Sequence, residues 1–193
     1  MTTKLINYIS NYVLLDEEEI EVISSLIQIK KFKKGQILLK EGVVSQTSYF
    51  NLKGCVRLYY LIDGEEKTTF FYTENKFITS VRSFTQKEPS NHYLECIEDC
   101  TLALIPYDVE KKLLENFPKL ESFARLILEE ELGNYQDMLS AYIVSNPEQR
   151  YLNLLKNNSQ LLQRVPLFQL ASYIGVKAES LSRIRNRVTK NTS

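Results

Sequence analysis

VPLFQLASYIGVKAESLSRIRNRV, residues 165–188, decides how the rest of the chain is read. Counted from Leu167, the positions Leu170, Ala171 and Ile174 share one helical face. Gly175 then interrupts, Val176 follows, and Leu181, Ile184 and Val188 resume at helical spacing. Two short helices joined at a glycine are predicted. Ala171 is small enough for the second helix to cross close by, and Gly175 supplies a turn conformation that a side chain would oppose. With Leu181, Ile184 and Val188 turned inward, the other side of the second helix presents Glu179, Ser182, Arg183 and Asn186, with Lys177 at its start and Arg187 farther along. From Lys177 to Lys190 there are five basic residues and one acidic. A solvated face is the bland account of such a run. The register of apolar, alanine and glycine positions favours instead a helix-turn-helix that reads double-stranded DNA.

The charge distribution points the same way. The chain of 193 residues carries 24 Lys/Arg and 24 Asp/Glu, but residues 147–193 hold eight basic side chains against Glu148 and Glu179, a net of +6. The preceding residues therefore carry −6, an asymmetry expected when one part meets a polyanion and the rest does not. A hydrophobic content of 44% excludes a disordered chain. Cys55, Cys96 and Cys100 are an odd and sparse set, suited to a reducing compartment rather than a disulfide framework. The first residues, MTTKLINYISNYVLLDEEEIE, have neither a basic leader nor a long apolar run, and no stretch reaches 18 apolar residues. A cytoplasmic protein with no membrane partner is expected.

Working back from Pro147, Asn146-Pro147 breaks a long helical pattern over about 118–145. Within it Leu128, Leu132, Tyr135, Leu139 and Tyr142 follow 4-3-4-3 spacing. Core is the usual reading of such a stripe. Its length, after a closed β domain, favours a seam between two copies, hence a homodimer. Residues 1–30 read as helical, with Asp16 as N-cap before Glu17–Glu19 and Ile20, Ile23 and Ile27 in register. From Phe32 to Pro106 the period changes to short β runs punctuated by Gly35, Gly42, Gly54 and Gly64. IDGEE between RLYYL and KTTFFY signals a hairpin, because Asp-Gly accepts the positive φ of a tight turn. Cys96 and Cys100, four apart, are taken to share one face of one strand. So much antiparallel β implies a small barrel or jelly roll. The expected fold is α+β, with residues 1–116 as N-terminal helices and β-roll, 117–146 as a dimerisation helix, and 147–193 as the DNA-binding domain.

A β-roll, a long helix and a C-terminal helix-turn-helix, in that order, resemble the CRP/FNR family of bacterial transcription regulators over roughly residues 10–190. The resemblance implies a homodimer on a near-palindromic operator, with RNA polymerase as a further partner. In FNR-like members a Glu is followed three and four positions later by a Ser and an Arg, a pattern that falls here on Glu179, Ser182 and Arg183. The chemistry is sensible by itself, since a carboxylate accepts from cytosine N4 and Arg forks onto guanine O6 and N7. One departure from the family is expected here: with five residues after Val188, the β-hairpin wing of many members is expected to be absent.

The resemblance also implies where a cyclic nucleotide would sit. A Gly-Glu pair should meet the ribose and an Arg-Ser pair the phosphate. Here Thr79 and Ser80 stand at the first position, Ser90 and Asn91 at the second, and Arg82 lies nearby but out of register. Both the carboxylate and the cation are missing, so a degenerate pocket and cAMP-independent regulation are expected; the alternative is a cAMP-type regulator. No cofactor is expected. An iron–sulfur sensor needs cysteines ahead of Cys55, and the lone histidine, His92, is weak support for haem. A cupin-like enzyme needs several histidines, and no Ser or Cys has a base partner, so the chain is not expected to be an enzyme.

Overall fold

The computed structural model describes residues 2–192, and side chains as far as Lys190. Helices α1 (Thr2–Ser10) and α2 (Glu17–Leu26) precede the strands β1 (Gln28–Phe32), β2 (Ile37–Leu39), β3 (Thr47–Lys53), β4 (Val56–Ile62), β5 (Glu65–Tyr72) and β6 (Phe77–Ile78). Helix α3 (Val81–Gln86) then leads to β7 (Tyr93–Cys96) and β8 (Cys100–Pro106). The remainder is helical: α4 (Tyr107–Asn116), α5 (Pro118–Val144), α6 (Pro147–Asn157), α7 (Ser159–Arg164), α8 (Leu167–Ile174) and α9 (Ala178–Thr192). The α+β expectation holds.

Local chemistry explains the boundaries. Asp16 caps α2 through the Glu19 amide at 3.0 Å while the Glu19 carboxylate accepts from the Asp16 amide at 2.8 Å. Asn146 and Gln149 repeat this box at α6, with Pro147 at its first position. The hairpin between β4 and β5 turns on Asp63 and Gly64, with φ of 51° and 79°. The strands form two four-stranded sheets, ordered β1-β8-β3-β6 and β2-β7-β4-β5. In the first, β8 pairs antiparallel with both β1 and β3, Tyr49 facing Leu104.

By its packing the chain divides into two compact units, Met1–Leu58 with Phe71–Glu131, and Tyr59–Phe70 with Leu132–Ser193. In the first, Leu5, Ile9 and Ile23 close over Phe50 and Ala103 of the sheet, with Leu120, Phe123 and Ile127 from the start of α5. Each such fully buried side chain contributes ~1.5–3 kcal/mol of transfer free energy. In the second, Leu154, Leu161, Leu170, Ile174 and Leu181 are buried.

Two expectations are corrected. Residues 1–30 are not helical throughout: residues 11–16 separate α1 from α2, and the chain turns extended at Ile27 to enter β1. Cys96 and Cys100 do not share a strand, because Cys96 ends β7 and Cys100 begins β8. Both are nevertheless buried. A hydrogen bond with Cys100, together with burial, pushes the Cys96 thiol far above its ordinary range, so Cys96 stays protonated.

Candidate nucleic-acid interface and effector pocket

The helix pair is built as its residues dictate. Leu170, Ala171 and Ile174 are each 1% exposed, and Leu181 is fully buried. Gly175 ends α8 in the left-handed region at φ 81°, and its amide and that of Val176 return to Ser172 and Ala171. A β-carbon at Gly175 would also meet the Tyr142 hydroxyl, so a larger residue there would strain the backbone and displace that phenol. With Leu181, Ile184 and Val188 inward, α9 turns Glu179, Arg183, Asn186 and Arg187 to solvent; Lys177 is exposed just before it and Ser182 is half-buried. Among the described residues, the Arg183 guanidinium has one hydrogen-bond partner, Ser180 Oγ at 3.3 Å. Arg187 is tied to Glu148 of α6 at 2.7 Å. The outward side of α9 thus offers a carboxylate, hydroxyls, an amide and several cations on one helix.

The hairpin tip adds a contact with no signal in the sequence. Ser172 Oγ donates to the Glu66 carbonyl at 2.8 Å and accepts from the Thr68 amide at 2.9 Å. Beside it Lys67 holds the Glu65 carboxyl below its usual range, and Lys177 adds to that shift.

Along α5 the proposed seam lies open. Leu128, Leu132 and Leu139 are 58%, 59% and 60% exposed, whereas Leu120, Phe123 and Ile127 on the same helix are buried. The plain-core reading of the stripe therefore does not apply within the chain. Tyr135 packs against Phe70 in a tilted pair with ring centres 5.3 Å apart, and Tyr142 lies under the Arg150 guanidinium at 4.3 Å.

In the β-roll, the two positions expected to meet a nucleotide come together without charge. Ser80 Oγ lies 3.4 Å from Ser90 Oγ, and both residues are buried. Ser90 Oγ also donates to the His92 carbonyl at 2.9 Å, and Asn91 Oδ1 lies 3.0 Å from His92 Nδ1. Thr79 Oγ1 is buried and has no hydrogen-bond partner among the described residues. Arg82 turns outward to Glu88 at 2.7 Å, and the Lys87 ammonium sits 3.0 Å over the centre of the Tyr107 ring. The sequence reading missed one buried cation, Arg57 on β4. It is 3% exposed and spans to Glu95 on β7, with Nε 2.8 Å from Oε2. Only the adjacency of β4 and β7 in the sheet could have revealed that pair. Burial lowers the pKa of His92, keeping it neutral. Among the described residues no group of three or more His, Cys, Asp or Glu is placed to hold a metal, and no helix is long and apolar enough to cross a membrane.

Residues 29–117 match the family of cyclic nucleotide-binding domains. Among solved structures, the c-di-GMP-responsive global regulator CLP of Xanthomonas campestris is similar at a TM-score of 0.74 and 17% identity, covering 92% of this chain and 93% of that one. FixK2 of Bradyrhizobium japonicum is similar at 0.73 and 16%, covering 86% of each. The catabolite activator protein of Thermus thermophilus gives 0.57 and 19%, covering 96% of this chain and 88% of that one. No curated protein matches in sequence. Residues 29–117 thus match a cyclic nucleotide-binding-type domain, and the fold is similar to that of these three proteins, as the order of its elements led one to expect.

Proposed function

We propose that the protein is a homodimeric, sequence-specific DNA-binding transcription regulator, not an enzyme, whose DNA binding needs no cyclic nucleotide. The observation that carries this is α9: three inward apolar residues fix it, and Lys177, Glu179, Ser182, Arg183, Asn186 and Arg187 are left on its open side. Arg183 and Glu179 are the base-reading pair, Ser182 and Asn186 adjust hydrogen bonding beside them, and Lys177 and Arg187 meet phosphates. The open stripe Leu128, Leu132, Tyr135, Leu139 and Tyr142 supports a seam between two copies of α5. Two-fold symmetry then places recognition helices in successive major grooves, with half-sites ~34 Å apart. RNA polymerase is the partner a regulator of this kind would engage.

The test is selection of bound duplexes from a random pool, followed by affinity measurements across salt. A near-palindromic consensus and a steep salt dependence are expected. Binding to no duplex at low salt would refute the reading. The rival, a cyclic-nucleotide-responsive regulator, has the matched domain family in its favour and the chemistry of Ser80, Ser90 and Asn91 against it.

A further inference from the structure

Arg150, on the first turns of α6, makes contacts that neither its charge nor its place in the sequence explains. Its Nε donates to the Ile174 carbonyl at 2.8 Å. Its Nη1 donates to the Ser145 carbonyl at 2.6 Å and to that of Tyr142 at 3.3 Å. The guanidinium carbon lies over the Tyr142 ring, 4.3 Å from its centre, and the phenol of that ring is packed against the Gly175 turn. The three carbonyls belong to two helix ends: Tyr142 and Ser145 at the end of α5, Ile174 at the end of α8. Carbonyls in the last turn of a helix have no partner within the helix and carry its negative dipole end. One planar cation therefore serves two C-termini at once, and those two ends are the last turn of the long helix and the turn from which α9 departs.

We propose that Arg150 is the positioning residue that fixes the direction of α9 relative to the end of α5, with Tyr142 as its platform and Gly175 as the gap that admits that platform. Only a fork of rigid N–H donors can hold all three carbonyls and stack on a ring. A lysine supplies the charge without the plane. The side chain is already committed to main-chain carbonyls, so it is not a phosphate contact, although it belongs to the basic excess of residues 147–193. The inference rests on the DNA-binding reading for its consequence, not for its geometry.

The experiment uses full-length Arg150→Lys, with Arg150→Gln as a second variant and cooperative melting as the check of folding. Amide exchange in the DNA-free protein should quicken at Gly175 and Val176, whose amides close the turn. Affinity for the selected consensus should fall roughly tenfold. Affinity for random duplex and the slope of affinity against salt should stay as in the wild type. Unchanged exchange at the turn together with unchanged consensus affinity overturns the proposal. So does a parallel loss on consensus and random duplex with the salt slope reduced by about one, which would make Arg150 a phosphate contact. If the wild type binds no duplex, the DNA-binding reading fails instead, and amide exchange alone decides the pin.

Discussion

Arg187 of α9 and Glu148 of α6 form an ion pair, with Nη1 2.7 Å from Oε2. The proposed phosphate contact is thus occupied before DNA arrives. Both side chains are partly exposed, so the pair is worth ~0–1 kcal/mol and a phosphate can displace it. Glu148→Gln should free the guanidinium, remove a repelling charge and tighten binding to all duplexes about two- to fivefold, roughly 0.4–1 kcal/mol. Arg187→Ala should weaken all duplexes alike and lower the salt slope by about one. Fluorescence anisotropy across salt measures both; an Arg187→Ala slope equal to the wild type removes Arg187 from the phosphate contacts.

Arg183 differs in having no carboxylate partner among the described residues, its guanidinium meeting Ser180 Oγ at 3.3 Å. Arg183→Ala should cost ~1–3 kcal/mol on the consensus and relax the preference at one guanine. The repeated selection experiment is the check, and an unaltered consensus would transfer base reading to another side chain.

The dimer seam gives a sharper outcome. Leu132 is 59% exposed in the single chain, so Leu132→Asp costs little there. In a seam the carboxylate would be buried unpaired, at ~3–5 kcal/mol. Sedimentation should show a folded monomer with much weaker operator binding. A variant that stays dimeric places the interface elsewhere.

How much of this was legible in the sequence depends on the range of each interaction. The α8–α9 pair and the Asp63-Gly64 hairpin could be read because period 3.6, a left-handed glycine and an Asp-Gly turn are local signals. The open stripe on α5 was readable for the same reason, since its spacing lies within one helix. Cys96 and Cys100 were misassigned because three residues of turn, invisible to a count of four, separate β7 from β8. Arg57 with Glu95, Ser172 with the hairpin, and Arg150 with Ile174 join residues 24 to 106 positions apart. Pairs of that kind follow from strand order and helix packing, which no local pattern encodes.

The Ser172 contact lends itself to a direct measurement. Its hydroxyl donates to Glu66 and accepts from Thr68, and each hydrogen bond is worth ~0.5–1.5 kcal/mol net. Ser172→Ala should therefore lower stability by ~1–2 kcal/mol, a fall in Tm of roughly 2–8 °C. Amide exchange should quicken at Thr68, whose N–H loses its acceptor. A Thr68 amide as protected as before would mean that the hairpin tip is held by something other than this hydroxyl.

The final prediction concerns cyclic nucleotides, where the domain family and the site chemistry part company. A cyclic phosphate buried in a β-roll needs a compensating cation, since an unpaired buried charge is strongly disfavoured. Three cations of the β-roll are already engaged. Arg82 pairs with Glu88 at the surface, Lys87 lies on Tyr107, and Arg57 is matched by Glu95. The two positions that would meet phosphate and ribose hold Ser90 and Ser80, whose hydroxyls face each other across 3.4 Å. Both can donate hydrogen bonds, but neither supplies charge. Absence of the guanidinium and the carboxylate should cost at least ~3–5 kcal/mol, two to four decades of affinity. Neither cAMP nor cGMP should bind at micromolar concentration, and operator affinity should be the same with and without them. Isothermal titration and anisotropy test the two halves separately. Saturable heat with a micromolar midpoint would refute the prediction, and loss of that heat in Arg82→Ala or Lys87→Ala would identify the cation that had left its present partner.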